Sequence, residues 1–142
     1  MSVELALVAP LLMTLMFGIV EFGMMFHCQM QLNNMTREAT RIAAIGAQPT
    51  AVSTRLAASG TLHADTMTVT MDYRTYLGSG TWSAWTALVA GTDSNTAPTG
   101  AEVRVQTVYP YRLVVGSMFA FLVDQPTTRT ETLRGSTIMR RE

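Results

Sequence analysis

The sequence predicts an α+β protein in which a long hydrophobic N-terminal helix packs on a small antiparallel sheet of about four strands. Two observations support this fold class. The first 28 residues contain no Lys or Arg, and from Leu5 to Val20 they are almost entirely apolar. After residue 60 apolar and polar residues alternate with a period of two, most clearly over 101–109, as expected of half-buried strands.

The pattern divides the chain into three parts, with a hydrophobic transmembrane or filament-core helix over 1–28 as the first. Its amphipathic continuation covers 29–47, and a globular β-rich domain covers 48–142. A helix of about 20 apolar residues is long enough to cross a bilayer. The same composition also suits a helix buried among copies of itself. A cleaved signal peptide fits poorly, because no basic region precedes the apolar run.

Composition argues against several functional classes. Ten Arg balance ten acidic residues, and a net charge of zero disfavours nucleic acid as a partner. Cys28 is the only cysteine, which excludes an intrachain disulfide, and its neighbour His27 is one of two histidines. The sequence holds no Gly-rich phosphate loop, no H-E-x-x-H and no G-x-S-x-G. We therefore expect no enzyme, no catalytic or metal site and no cofactor.

Beyond residue 28 the helix becomes amphipathic and is predicted to end near Gly46. The later elements follow in order, namely a helix over 50–59 capped by Thr50, strands over 65–74, 81–88, 101–109 and 127–140, an exposed polar loop over 91–100, and an apolar connector over 113–123. Tyr109-Pro110-Tyr111 is predicted to end the third strand. Gly135 is predicted to form a bulge in the last strand.

Glu4 and Glu21 are the two carboxylates of the hydrophobic helix. A carboxylate there needs a partner, while the helix dipole favours one in the first turn. Glu4 either lies at the membrane surface or pairs with the α-amino group of Met1 or of a neighbouring copy. Glu21 either lies at the membrane edge or finds a partner inside an assembly. Pro10 predicts a kink, and Gly18 and Gly23 allow close approach of other backbones.

These residues carry a resemblance to a known family. The pattern V-E-L-A-L-V-A-P-L-L, the block Phe17-Gly18-Ile19-Val20-Glu21-Phe22-Gly23, a polar Q-x-x-x-N and the run Arg37-Glu38-Ala39-Thr40-Arg41 resemble TadE-like pilins. These are proteins of the tight-adherence (Tad, or Flp-type) branch of type IV pili. The order of strand, Tyr-Pro-Tyr, apolar connector and last strand resembles the C-terminal part of the same domains.

The resemblance implies a structural subunit, a pilin or a minor pilin or pseudopilin, that is inserted in the inner membrane and polymerised through its N-terminal helix into a cell-surface pilus for adhesion. It implies as partners copies of itself or other pilins, a prepilin peptidase and the Tad assembly machinery. The expected subunit contacts are Met1, Glu4, Pro10, Phe17, Gly18, Glu21, Phe22 and Gly23. Pilins carry their glutamate at mature position five, whereas here it is fourth. The missing basic leader fits a mature chain starting at Met1. A single-pass membrane adhesin or sensor with a ligand-binding β domain is the alternative.

Overall fold

The computed structural model describes residues 2–59, 62, 66–113 and 130–142, and for 2–4, 6, 7 and 59 it describes the backbone alone. Its elements in chain order are α1 (Ser2–Ala44), α2 (Pro49–Ser59), β1 (Thr68–Arg74), β2 (Tyr76–Gly78), β3 (Thr81–Trp82), β4 (Thr86–Ala87), β5 (Glu102–Arg112) and β6 (Thr130–Arg140). Residues 114–123 of the predicted apolar connector lie outside the described residues, as do Gly60 and His63.

The strands form a four-stranded sheet in the order β4-β1-β5-β6, and the neighbouring pairs are all antiparallel. β5 is the central long strand, since it pairs with β1 over seven residue pairs and with β6 over eleven. β2 and β3 form a separate small hairpin. The second half of α1 lies across β5 and β6 on one face of the sheet. This arrangement confirms the predicted α+β fold of a long helix on an antiparallel sheet of four strands.

α1 is a continuous α-helix from Ser2 to Ala44, so Pro10 does not interrupt the helix, and the predicted kink stays a prediction. It ends where the sequence predicts. Ala47 N–H donates to the Ile42 carbonyl and Gly46 N–H to that of Ala43, with Gly46 at a φ of 98°. This is a Schellman ending, whose left-handed residue is usually glycine.

The core lies between the second half of α1, α2 and the inner face of the sheet. On the predicted amphipathic part of α1 the apolar residues at helical spacing face this core: Leu32, Met35, Ala39 and Ala43 are buried, and Ile42 packs against the core. They meet alternate residues of β5, of which Val103, Val105 and Thr107 are fully buried. Alternate residues of β1 pack against the same core, as the period-two pattern predicts. The Thr36 and Thr107 hydroxyls share a hydrogen bond of 2.6 Å, which satisfies two polar groups inside the interface.

Gly135 does not form the predicted bulge. β6 pairs with β5 without a register shift, and Gly135 stands opposite Thr107. A Cβ at this position would lie 2.5 Å from Thr36 Oγ1 and 2.8 Å from Thr107 Oγ1. Glycine is required here because α1 approaches the sheet too closely for a side chain.

We therefore expect Gly135→Ala to lower the free energy of unfolding by about 1–3 kcal/mol, the usual cost of overpacking a tight core. Chemical denaturation of the detergent-solubilised chain measures this. Ser136→Ala is the matched control, since Ser136 is the next residue and is exposed; its effect should stay within about 0.5 kcal/mol. Equal stability of the two variants would contradict the close approach.

Four predicted boundaries are wrong. The strand predicted from residue 65 begins only at Thr68, the first of its residues that pairs with β5. β5 continues through Tyr109-Pro110-Tyr111 to Arg112, because β1 pairs only as far as Val108 and leaves one side of the strand open, where proline is tolerated. The predicted strand over 81–88 is divided between β3 and β4, which pair with different strands. α2 begins at Pro49, so Thr50 lies in the first turn rather than at the cap.

The polar loop over 91–100 is not simply an exposed loop, because Asn95 within it is buried. Its side-chain amide donates to the carbonyls of Ala43 and Ala47 at 2.7 and 2.9 Å. Arg141 donates to the Asn95 side-chain oxygen at 2.7 Å and also to the Ala97 carbonyl. The loop and the last strand are therefore tied to the end of α1.

Aromatic residues of the hairpin region pack against each other and against arginines. Tyr76 and Trp82 stand opposite each other in the β2–β3 hairpin, with ring centroids 5.1 Å apart. The guanidinium of Arg74 lies 4.8 Å from the Trp82 ring centre and 4.6 Å from that of Trp85, and Arg104 lies 4.0 Å from Trp85. These cation–π contacts hold the segment from β2 to β4 against the face of the sheet that is turned away from α1.

Candidate functional site: the N-terminal half of α1

The first half of α1 projects as an apolar surface. From Val8 to Val20 every side chain is exposed except Phe17 and Gly18, which are half-buried. Within the described residues one helical stretch, Val8–Ala44, is long and apolar enough to cross a membrane, and very little of its most apolar window is buried. A core helix of a soluble protein would be mostly buried. The nineteen residues from Ser2 to Val20 span about 28 Å, close to the roughly 30 Å hydrocarbon core of a bilayer.

A shallow apolar groove runs along this projecting part. It has a volume of about 660 Å³ and is lined by Leu11, Thr14, Leu15, Gly18, Ile19, Phe22, Gly23 and Phe26. These positions recur at intervals of three and four, which places them on one face of the helix. The only hydroxyl on this face is engaged locally, because Thr14 Oγ1 donates to the Pro10 carbonyl at 2.8 Å.

The two glycines of the groove are not required by the subunit's own packing. A Cβ built at Gly18 or Gly23 would meet no atom within 4 Å. Gly135 shows the opposite, since its Cβ would clash with α1. The open space beside Gly18 and Gly23 leaves room for the close approach of another backbone, which small residues favour in membrane helices.

Glu21 ends the projecting part, and the chain itself supplies the partner that the sequence did not show. Its side chain is only 5% exposed. The hydroxyl of Tyr111, near the end of β5, donates a hydrogen bond to the Glu21 carboxylate. Burial, followed by this bond and the carboxylate's charge, raises the pKa of Tyr111 to about 12. The Glu21–Tyr111 pair therefore marks the level at which the sheet first meets α1.

We expect Tyr111→Phe to lower the free energy of unfolding by about 1.5–3 kcal/mol near pH 7, because a buried carboxylate loses a hydrogen bond. Tyr109→Phe, on the same face of β5, should change it by about 0.5 kcal/mol or less. A free phenol ionises near pH 10, whereas folding raises the Tyr111 pKa to about 12. The wild-type chain should therefore lose stability from pH 10 to 12. Denaturation at several pH values should show no such loss from this site in Tyr111→Phe.

The structure brings some of the predicted contact residues together and not others. Gly18, Phe22 and Gly23 line the groove, whereas Pro10 and Phe17 lie on α1 outside the groove lining. Met1 and the side chain of Glu4 lie outside the described residues. The sequence interpretation missed five groove residues, Leu11, Thr14, Leu15, Ile19 and Phe26. Their three- and four-residue spacing with the glycines was the signal that could have identified them.

Comparison with known proteins identifies this part of the chain. Residues 1–41 match the family model described as TadE-like protein. The resemblance to TadE-like pilins is therefore confirmed over these residues, which include all the predicted contact positions. The match stops before α2, so the C-terminal similarity stays a prediction. No curated protein and no solved structure gives a significant match.

The TadE-like segment coincides with a helix of membrane-spanning length. Together they suggest membrane anchoring and an association with the Tad pilus.

Proposed function

We propose that this chain is a pilin, minor pilin or pseudopilin of a Tad-type pilus. Its α1 anchors the subunit in the inner membrane before assembly and packs against the α1 of other subunits afterwards. The observation that supports this most strongly is the projecting half of α1, whose apolar surface is not covered by any residue that the structure describes. The proposed role is structural rather than enzymatic, and the assembled subunit lies in a filament at the cell surface, where it serves adhesion.

Membrane anchoring is supported by the length of the apolar segment of α1 and by the positions of its two carboxylates. The apolar segment before Glu21 matches the hydrocarbon thickness, and Glu21 is shielded by Tyr111 where the sheet begins. Its other carboxylate, Glu4, stands in the first turn of α1. There the helix dipole favours a negative charge, and the interface provides water.

The assembly half is supported by the groove. Lipid tails are as apolar as leucine, so helices in a membrane associate through close packing around small residues rather than through hydrophobicity. The groove offers two glycines with open space beside them, and its volume suits ridges of side chains from a second helix. A prepilin peptidase and the Tad assembly machinery are the further partners proposed for this pathway.

The test is where the chain is found in cells with and without the assembly ATPase. With the ATPase, the chain should appear in surface filaments sheared from the cells. Without it, the chain should accumulate in the inner membrane. If it stays wholly in the membrane in both cells, the pilin proposal fails and the single-pass adhesin or sensor is favoured.

A further inference from the structure

The outer face of the sheet, the face turned away from α1, carries five arginines of the described strands: Arg74, Arg104, Arg112, Arg134 and Arg140. At the end near the C-terminus of α1, Arg74 and Arg104 are paired with Glu102 and Asp72 at 2.6 and 2.7 Å. At the opposite end, Arg112 and Arg134 are exposed. Neither of these two forms an ion pair with a residue that the structure describes. Among the described residues, two of the three outer-face arginines without an ion pair therefore lie at this end of the sheet, and the third, Arg140, lies at the other end.

Two contacts fix the level of Arg112 along α1. The Gln29 side-chain amide donates to the Arg134 carbonyl at 2.8 Å, and Arg134 stands opposite Val108, four residues before Arg112. Four strand residues cover about 13 Å, or about nine helix residues, which places Arg112 level with Val20. A second estimate starts from the hydrogen bond between Thr36 and Thr107, which is five residues before Arg112. Five strand residues correspond to about eleven helix residues, which places Arg112 level with Met25.

Both levels lie within about one helical turn of Glu21, where the membrane-length apolar segment ends. In the inserted subunit Arg112 therefore stands in the headgroup layer of the bilayer. Tyr109 and Tyr111 are on the same end of β5, and tyrosine is enriched at that depth. Arg134 is about 13 Å further from the membrane, beyond a Debye length, so its attraction is weaker.

We propose that this end of the sheet, centred on Arg112, binds the phosphate headgroups of anionic phospholipids. The inference rests on the proposed insertion of α1 in the membrane and adds a second membrane contact to it. A planar guanidinium presents paired N–H donors that match phosphate oxygens. Among the described residues Glu131 is the exposed carboxylate at this end, and it stands opposite Tyr111, on the other face of the sheet from Arg112. Lipid contact would fix the tilt of the domain before assembly.

The full chain reconstituted in phosphatidylcholine vesicles with about 30% phosphatidylglycerol provides the test. The association of spin-labelled phosphatidylglycerol with the protein is compared with that of spin-labelled phosphatidylcholine. We expect a preference of about fivefold for the anionic lipid, the usual effect of one basic residue near a charged membrane. Raising the salt concentration should weaken it. Arg112→Gln should remove it, and Arg112→Lys, which keeps the charge but not the paired donors, should keep part of it.

Arg140→Gln is the matched control, because Arg140 is exposed on the same face but at the far end of β6, opposite Glu102. It should keep the preference. Equal association of both lipids with the wild-type chain, or an unchanged preference in Arg112→Gln, would overturn the proposal and leave membrane insertion intact. If neither labelled lipid is immobilised by the chain, α1 is not in the bilayer, and both this proposal and the anchoring half of the proposed function fail.

Discussion

Glu4→Gln is expected to abolish incorporation of the chain into filaments while leaving its membrane insertion unchanged. The substitution keeps the size of the side chain and removes the charge. In the membrane this costs nothing, because an uncharged side chain enters an apolar segment more easily than a carboxylate. In an assembly, a neighbouring copy's amino group would lose its partner. Breaking a buried ion pair from one side costs about 3–5 kcal/mol, so incorporation should fall a hundredfold or more.

The measurement is the amount of chain in sheared filaments relative to the membrane fraction, with N-terminal processing checked by mass spectrometry. Glu4→Asp keeps the charge on a shorter side chain and should retain part of the incorporation. Glu131→Gln is the control, since Glu131 is an exposed carboxylate on the sheet. Normal filament levels of Glu4→Gln would show that this carboxylate is only a first-turn charge at the membrane surface.

Gly18→Leu is expected to have the second largest effect on assembly, again without harm to the subunit. Its Cβ would meet no atom within 4 Å, so a side chain can begin at this position without a clash in the isolated chain. Leucine also favours a helix interior over glycine by about 0.8–1 kcal/mol. In a filament the added side chain would force apart two backbones that meet at the groove. Incorporation should therefore fall at least tenfold, while the unfolding of the sheet domain stays the same.

Val20→Phe is the matched control for Gly18→Leu. Val20 is 51% exposed on the same projecting segment but does not line the groove. A bulky residue there should be tolerated much better than at Gly18. If both variants assemble equally well, or equally poorly, the groove is not the tight contact between helices.

Much of the fold could be predicted because its pattern is local. The apolar spacing of α1, the Gly46 ending and the alternation in β5 each report on residues close together in sequence. The corrections come from contacts between distant residues. From the sequence alone, Gly135 within a strand suggests a bulge. The reason for glycine at this position is the close approach of Thr36, about a hundred positions earlier in the chain. Asn95 was likewise predicted to be an exposed loop residue, and its burial depends on its hydrogen bond to the end of α1.

In the candidate site, too, local features could be predicted and contacts between distant residues could not. Its residues lie on one helix, so the sequence identifies the segment, the glycines and both carboxylates. The partner of Glu21 was missed because Tyr111 is far along the chain, in a segment predicted to end a strand. The face of α1 that remains open was missed as well, because it depends on where the sheet covers the helix. Sequence spacing alone does not fix that direction.

Oxidative cross-linking between single cysteines tests most directly the claim that the projecting half of α1 passes from lipid into contact with other copies. In a Cys28→Ser background, one cysteine replaces Ile19, which lines the groove, and in a second variant one replaces Val20, which does not. We predict efficient cross-linked dimers through position 19 in filaments, far fewer through position 20, and few through either in membranes of cells that cannot assemble pili. An equal yield at position 19 in membranes and filaments, or none in filaments, would contradict the account.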